Sequence, residues 1–269
     1  MRVVFPGCVV FAIASASVLA VQTQPQPAAG PEDLCAERYD SQRQRHCEIR
    51  EDVIPTVSAL DIDPGRNGSV HIRGSQRPGV RLRTRVEAYA ETDARARELV
   101  DGVRVTTVSG RIRSDGMMTL RKEQWATSFY LDVPPGIGVA VNTQNGGISL
   151  EDFGGSAVMR AVNGAITLTR VGGDLHGQTQ NGSLRIELAG MRWEGKGLDV
   201  ETRNGSVRLM LPAAYSAELE TGTVHGHVAI DFPMLIHSGQ QRVFTTTLGS
   251  GGAKIRAMTT NGSVVVRRQ

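Results

Sequence analysis

One short phrase recurs through the second half of this 269-residue chain. It is Asn-Gly, or a close substitute, followed by a small residue and then by Ile, Leu or Val. The copies are Asn145-Gly146-Gly147-Ile148, Asn163-Gly164-Ala165-Ile166, Asn181-Gly182-Ser183-Leu184, Asn204-Gly205-Ser206-Val207, Thr221-Gly222-Thr223-Val224 and Asn261-Gly262-Ser263-Val264. The first three are 18 residues apart, and the next gaps are 23, 17 and 40. A period near 20 predicts a stack of similar units rather than a scaffold around one pocket.

Both sides of each phrase alternate between apolar and polar residues. Small or apolar residues stand six, four and two positions before the Asn, and apolar residues stand three and five positions after it. Polar residues such as Arg160 and Thr167 stand between them. This period of two predicts a pair of short strands per unit with one buried face. Ile166 should therefore face the core and Thr167 the solvent.

Two arrangements of the strands fit this pattern. Asn-Gly is typical of the tip of a β-hairpin, because Gly adopts positive φ readily. It also suits the corner of a coil whose strands pair in parallel with those of the next coil. The 18-residue spacing favours coils, with Asn stacked on Asn in an amide ladder. We therefore predict an all-β repeat protein, a right-handed parallel β-helix or β-solenoid of about 18-residue coils, with stacked Asn-Gly hairpins as the alternative. The predicted turns are Asn145, Gly146, Asn163, Gly164, Asn181, Gly182, Asn204, Gly205, Asn261 and Gly262.

The repeat pattern extends upstream of the first full copy. Ser109-Gly110 and Asn67-Gly68 fit parts of it, so the predicted β-solenoid domain covers residues 56–269. One short helix is predicted near residues 92–101, with Thr92 as its cap and Gly102 as its stop.

The N-terminal region has a different character. Residues 1–20 have a basic start, an apolar stretch and a small-residue cleavage site, which predict a secretory signal peptide, with an uncleaved anchor as the alternative. Residues 21–55 form a Pro- and Gln-rich start and a segment containing Cys35 and Cys47. An even number of cysteines in an exported chain predicts a Cys35–Cys47 disulfide. We expect a periplasmic, envelope-associated or secreted protein with no membrane span after signal cleavage.

Charge and motif content exclude several classes of function. The chain has 30 basic and 27 acidic residues, so its net charge of +3 gives no reason to expect nucleic acid as a partner. No phosphate- or dinucleotide-binding motif is present, and no cofactor is predicted. His225 and His227 lie two residues apart, but no third ligand lies in register with them, so no metal site is predicted.

A catalytic role is disfavoured by the positions of the carboxylates. Enzymes built on parallel β-helices place two or three carboxylates on neighbouring coils of one face. Here the slot of Asp152 holds Arg170, Leu188 and Leu211 in the next units. No catalytic residue is therefore predicted, and a carbohydrate-active β-helix enzyme remains the alternative.

The 23-residue gap contains a five-residue insertion around residues 190–197. Insertions in repeat proteins form loops on one face, which is often the binding face. Trp193 could stack on a sugar or peptide there, while Arg192 and Lys196 could meet carboxylates or phosphates. These three residues are the predicted binding site, and the alternative is that Trp193 folds back as a hydrophobic lid.

Several segments together resemble the DUF4097 family of bacterial candidate adhesins. They are Leu131-Asp-Val-Pro-Pro-Gly136 leading into Val139 to Gly146, the recurrent Thr-x-Asn-Gly-x-Ile/Val units, and Thr247-Leu-Gly-Ser-Gly-Gly252. The resemblance covers roughly residues 56–269. It implies a β-solenoid-like exported or envelope-associated protein and carries over no catalytic residues.

These observations predict an exported, non-enzymatic envelope or surface protein. Its expected role is that of an adhesin-like binding module for an extended polymer or a protein surface, because a stacked sheet offers many shallow positions and no deep pocket. A purely structural envelope protein is the further alternative.

Overall fold

A computed structural model describes residues 34–36, 43–55, 57–232 and 243–269 of the chain. The predicted signal peptide at 1–20 and the Pro- and Gln-rich start lie outside the described residues. The fold is all-β apart from one short helix. Its elements are β1 (Gln44–Ile54), β2 (Ala59–Asp63), β3 (Val70–Gly74), β4 (Val80–Ala90), α1 (Asp93–Asp101), β5 (Arg104–Val108), β6 (Arg111–Asp115), β7 (Gln124–Val133), β8 (Gly138–Asn145), β9 (Ile148–Glu151), β10 (Ser156–Asn163), β11 (Ile166–Thr169), β12 (Asp174–Asn181), β13 (Leu184–Glu187), β14 (Gly197–Asn204), β15 (Val207–Leu211), β16 (Ala217–His225), β17 (Val228–Ile230), β18 (Val243–Leu248), β19 (Lys254–Asn261) and β20 (Val264–Arg268).

The strands form two mostly parallel sheets. Sheet 1 has the order β1-β4-β7-β3-β9-β11-β13-β15-β20-β17. Sheet 2 has the order β18-β16-β19-β14-β12-β10-β8-β2-β6-β5. Buried side chains from both sheets pack into one large hydrophobic core, and a smaller second cluster lies between α1 and β4. β1 pairs with β4 along its whole length, so the sheet region begins before residue 56, where the sequence placed its start.

Each repeat unit contributes one strand to each sheet. In the unit around Asn163, β10 pairs in parallel with β8 and β12 of sheet 2, and β11 pairs in parallel with β9 and β13 of sheet 1. The two strands of a unit therefore pair with neighbouring units and not with each other. The hairpin alternative is wrong for these units.

Stacked asparagines line the junction between the two sheets. Nδ2 of Asn145, Asn163, Asn181, Asn204 and Asn261 donates to Oδ1 of the preceding Asn in the stack over 2.8–3.1 Å. The first acceptor is Asn67, so the upstream Asn67-Gly68 phrase does join the array. Each amide thus satisfies its neighbour along an exposed edge, as in other stacked β structures.

At four of these junctions the glycine after the asparagine is required for a reason other than the one the sequence suggested, whereas Gly68 and Gly262 do have positive φ. Gly146, Gly164, Gly182 and Gly205 are not among the described residues with positive φ. A Cβ placed on any of them would lie 1.9–2.1 Å from the carbonyl oxygen of the equivalent glycine in the neighbouring unit. Close approach of two backbones, not a left-handed conformation, therefore excludes every larger residue.

The alternation of apolar and polar residues predicts the buried face correctly. Ile166 and Leu168 are fully buried, and Thr167 between them is partly exposed. A buried hydroxyl two positions before the Asn adds a polar contact in most units. Thr179, Thr202 and Thr259 each donate to the carbonyl of the preceding unit's junction glycine over 2.7 Å.

The last units do not stack in chain order. β19 and β20 lie between the unit of β14 and β15 and the unit of β16 and β17. The register places His225, not Thr221, opposite Asn261, while Thr221 pairs with Ala257. The assignment of Thr221-Gly222 as a repeat phrase is therefore wrong by four residues. Burial decides the register, because Thr221 and Thr223 are buried while Val224 is exposed.

Ser109-Gly110, by contrast, forms a true hairpin between β5 and β6. Both residues have positive φ, at 51° and 79°, as a two-residue type I′ turn requires. The predicted helix is confirmed as α1, in which the Thr92 hydroxyl accepts from the backbone N–H of Arg95 and Gly102 is the C-cap.

Cys35 and Cys47 are joined by a disulfide, with their Cα atoms 5.9 Å apart. Two arginines hold the same segment. Arg45 donates to the carbonyl of Cys35 over 2.6 Å, and Arg85 donates to the carbonyl of Leu34 over 3.1 Å. The short segment 34–36 is therefore fixed to the outer part of sheet 1 by one covalent and two polar contacts.

Ile166→Asp should destabilise the stack far more than Thr167→Asp. The first change buries an unpaired carboxylate in a packed core and should cost more than about 4 kcal/mol. The second places a carboxylate at a partly exposed site and should change the free energy of unfolding by less than about 1 kcal/mol. Urea unfolding of both variants makes the comparison, and equal losses would show that the buried face is misassigned.

Gly182→Ala should also be destabilising, by about 1–3 kcal/mol or more, because the new methyl group meets the carbonyl oxygen of Gly164. Gly154→Ala is the matched control, since a Cβ at that position has no atom within 4 Å. Thermal melts of the two variants test this. If the two melting temperatures fall together, steric exclusion at the junction does not explain the glycine.

Candidate functional site

The insertion predicted to bind a ligand does not expose its tryptophan. Trp193 is only 5% exposed and belongs to the hydrophobic core. Its indole N–H donates to the carbonyl of Gly173 over 3.0 Å. Trp193 therefore covers the side of the stack as a lid, and the expectation of a free stacking ring is wrong. The gain from burying a large aromatic surface explains why the loop folds inward.

The two cations of the insertion are exposed but face different acids. Arg192 pairs with Glu194 at 3.1 Å, and Lys196 pairs with Asp174 at 3.0 Å. The hydrogen bond from Lys196 holds the pKa of Asp174 below its usual value. Because each cation already has a partner, Arg192, Trp193 and Lys196 do not form one binding surface.

The largest concave surface found lies elsewhere, on the outer face of sheet 2. It is a groove of about 930 Å³ that runs across the strands from Asp63 on β2 to Val224 on β16. Seven adjacent strands are crossed, counting β2 and β16 themselves. The six spacings between them, at roughly 4.8 Å each, make the groove about 29 Å long. This length suits an extended ligand.

Residues one and three positions before each junction asparagine form the walls of the groove. The set closer to the junction is Gln144, Val162, Gln180, Arg203 and Thr260. The set farther from it is Asn142, Arg160, Gln178, Glu201 and Met258. Most of these side chains carry hydrogen-bonding groups, which are what a polar polymer needs.

Part of this lining is already engaged in contacts within the protein. Gln178 donates to Glu201 over 3.1 Å, and Nη1 of Arg256 donates to Asp199 and Glu201 over 2.6 and 3.2 Å. This network stiffens the centre of the groove.

Four other groove side chains keep their hydrogen-bonding groups free within the part of the chain that the structure describes. They are Gln144, Arg160, Gln180 and Arg203, and all are exposed. Gln144 and Gln180 lie two strands apart, as do Arg160 and Arg203, which corresponds to about 10 Å. Free donors therefore recur at a regular interval along the groove.

Sequence reasoning identified these positions as outward-facing but did not detect the groove. The groove needs a bend in the strands, and that bend interrupts the alternation of buried and exposed residues from which the strands were predicted. Val162 and Asn163 are consecutive exposed residues at the end of β10, where strict alternation would bury one of them. The signal in the sequence that could have revealed the groove was the pair of adjacent polar or exposed positions before each Gly.

The described residues contain no group of three or more His, Cys, Asp or Glu side chains that could hold a metal ion. His225 ends β16, and His227 lies between β16 and β17. Both are exposed.

The model of the Toastrack DUF4097 family matches residues 99–267, more than half of the chain. The chain belongs to the Toastrack DUF4097 family. The match includes the repeat units from Asn145 to Asn261 and thus every strand that crosses the groove except β2. No curated protein matches this Toastrack chain.

Solved structures similar to this Toastrack protein include a candidate cell adhesion protein from Clostridium sporogenes. It has 9% identity and a TM-score of 0.37, with 82% of this chain and 100% of that chain covered. A candidate adhesin from Bacteroides fragilis has 12% identity and a TM-score of 0.29, over 83% and 97% of the two chains. A candidate lipid-binding protein from Parabacteroides distasonis has 9% identity and a TM-score of 0.30, over 82% and 96%. Likenesses this weak carry no argument about function.

Within the described residues of this Toastrack protein, no helix is long and apolar enough to cross a membrane.

Trp193→Ala should lower the stability by about 3–5 kcal/mol, because it empties a buried aromatic site and leaves the Gly173 carbonyl without its donor. Arg192→Ala, in the same loop but exposed, should change stability by less than about 0.5 kcal/mol. Denaturant unfolding measures both. A Trp193→Ala protein as stable as the wild type would restore the possibility of a ligand-binding ring.

Proposed function

We propose that this protein is an exported, non-enzymatic adhesin-like module that binds an extended polysaccharide of the cell envelope in the groove on sheet 2. The observation that carries the proposal is the groove itself, which crosses seven strands and presents Gln144, Arg160, Gln180 and Arg203 with their donors free among the described residues. Hydroxyl, amide and carboxylate oxygens of a polysaccharide are acceptors for those groups. Among the described residues no aromatic side chain lines the groove, so recognition would depend on hydrogen bonds and charge.

An extended ligand fits this surface better than a compact one. Small-molecule sites are concave pockets that bury most of their ligand, with a few polar groups set in an apolar lining. The groove has instead a repeated polar lining along about 29 Å. A polymer gains affinity from several weak contacts held together in one chain, as multivalent ligands do.

The groove lacks the geometry of a glycoside hydrolase. Its two lining carboxylates, Asp63 and Glu201, lie four strands apart, or about 19 Å, whereas hydrolytic pairs lie about 5–9.5 Å apart. Asp199 and Glu201 are closer, but Arg256 occupies an oxygen of each. This favours binding over catalysis.

A second possible catalytic pair lies on sheet 1. The Ser69 hydroxyl is 2.9 Å from Nε2 of His71. Burial, assisted by the charge of Arg85, lowers the pKa of His71 to about 4. A general base works best with a pKa near the operating pH, so His71 is poorly suited to activate Ser69 at neutral pH. We assign this pair to packing, together with the ring of Tyr130 that stacks on His71 at 4.6 Å.

The same proposal includes the handedness of the coil and the location of the protein. Parallel strands of one sheet joined through another element are right-handed in about 98% of cases, which favours a right-handed β-solenoid turning at the Asn-Gly junctions. The signal-like residues 1–20 and the Cys35–Cys47 disulfide favour export to the periplasm, the envelope or the medium. Residues 21–55, which include β1 of sheet 1, would then lie between the signal and the repeat units.

Arg160→Ala combined with Gln180→Ala should reduce binding to a cell-wall polysaccharide fraction by about tenfold or more, since two charge-assisted or neutral hydrogen bonds are lost. Thr167→Ala, on the outer face of sheet 1, is the matched control and should bind as the wild type does. Co-sedimentation with the fraction, after circular dichroism shows that all variants are folded, gives the result. Binding that is unchanged by the double substitution would remove the groove from the proposal, and binding that resists polysaccharide digestion would point to a protein surface instead.

A further inference from the structure

Two arginines stand side by side on the outer face of sheet 1. Arg185 on β13 is in direct register with Arg208 on β15. Both are exposed, and adjacent strands are about 4.8 Å apart. Thr167 on β11 flanks the pair on one side and Val265 on β20 on the other, so neither neighbouring strand brings an acid into register.

Such a pair is unfavourable without a compensating anion. Like charges directly opposite each other on adjacent strands repel and destabilise a sheet. Within the described residues, neither Arg185 nor Arg208 has a carboxylate within 4.0 Å. Glu187 follows Arg185 on the same face but lies in register with Met210 and forms no ion pair in that part of the chain.

Two other outward-facing arginines of the same stack form ion pairs with acids of neighbouring units. Arg170 pairs with Glu151 and Asp152 of the preceding unit. Arg256 pairs with Asp199 and Glu201 on the neighbouring strand. Arg185 and Arg208 lack such a partner among the described residues, as do Arg160 and Arg203, but Arg185 and Arg208 also stand in direct register with each other.

Two hydroxyl groups lie beside the arginines. Ser183 and Ser206 precede the buried residues Leu184 and Val207, so they occupy the same outer face as Arg185 and Arg208. The backbone N–H of Leu184 donates to the carbonyl of Ser206, which keeps the two serines in adjacent positions. Both side chains are exposed and without a partner among the described residues. The four side chains occupy a patch of about 5 by 7 Å.

We propose that Ser183, Arg185, Ser206 and Arg208 form a binding site for a phosphoryl group. Guanidinium groups form bidentate hydrogen bonds with phosphate, and the three terminal oxygens of a phosphate monoester can accept from two arginines and two hydroxyls together. A carboxylate has only two oxygens to share among these donors. An anion between the two guanidinium groups also removes their mutual repulsion. The site lies on sheet 1 and does not depend on the groove of sheet 2.

Inorganic phosphate and glucose 6-phosphate should both bind the full protein, whereas glucose should not and acetate should bind more weakly. Backbone amide NMR should show saturable shifts centred on residues 183–185 and 206–208. Tighter binding of glucose 6-phosphate than of phosphate would identify a phosphorylated sugar or polymer as the source, and equal binding would identify free phosphate. Lack of saturation at about 10 mM phosphate, or equal binding of acetate, would overturn the proposal.

Arg185→Gln and Arg208→Gln should each raise the dissociation constant for phosphate about tenfold or more. Arg208→Lys should also weaken binding, because it keeps the charge but loses the planar fork. Arg104→Gln, at an exposed arginine on β5 that lies outside both the groove and this site, is the control for the loss of one positive charge and should leave phosphate binding unchanged. A matching loss in the control would reduce the effect to net charge and overturn the site.

A thermal melt gives an independent readout. Without phosphate, Arg208→Gln should melt at or slightly above the temperature of the wild type, because the repulsion is gone. With phosphate, the wild type and Arg104→Gln should gain stability, whereas Arg208→Gln should not. If phosphate raises the melting temperature of Arg208→Gln as much as that of the wild type, the ligand binds elsewhere.

Discussion

The contact between glycines of successive units is the constraint on which the rest of the stack depends. Each junction glycine lies so close to the carbonyl of the preceding one in the stack that no Cβ can be accommodated. That approach allows the backbone N–H of Gly164 to reach the carbonyl of Asn181. It also places Nδ2 of Asn181 within 2.9 Å of Oδ1 of Asn163. A wider junction would lengthen both interactions beyond the range of a hydrogen bond. The columns of buried side chains and the groove on sheet 2 therefore have the same spacing from one unit to the next.

Much of this architecture was predictable from local sequence. The alternation around Asn163 gives the correct buried face for Ile166, and the 18-residue spacing gives the parallel stack and its asparagine ladder. Thr92 and Gly102 mark the ends of the helix correctly. These features succeed because their causes, side-chain burial and capping, act over a few residues or repeat identically in each unit.

The features that sequence reasoning missed arise from contacts between distant segments. Thr221-Gly222 matches the repeat phrase locally, but the strand pairs with residues 254–261, which come later in the chain, and that pairing fixes His225 at the junction. Trp193 lies in a loop whose sequence allows either exposure or burial, and it is buried against a core built by other units, where its indole N–H reaches the carbonyl of Gly173, 20 residues earlier. The phosphoryl site likewise needs the register of β13 on β15, since 23 residues separate Arg185 from Arg208.

The position of β19 and β20 has a consequence for the order in which the stack can form. Strands β16 and β17 precede β19 and β20 in the chain, yet they lie farther from β14 and β15, and the gap is filled only by residues 254–268. Domains generally form from the N-terminus onwards as a chain emerges. This end of the stack cannot form in that order. A chain that ended before residue 254 would leave the unpaired edges of two units facing each other about 10 Å apart. The stack at this end is therefore complete only once β19 and β20 are in place, because they lie between strands that precede them in the chain.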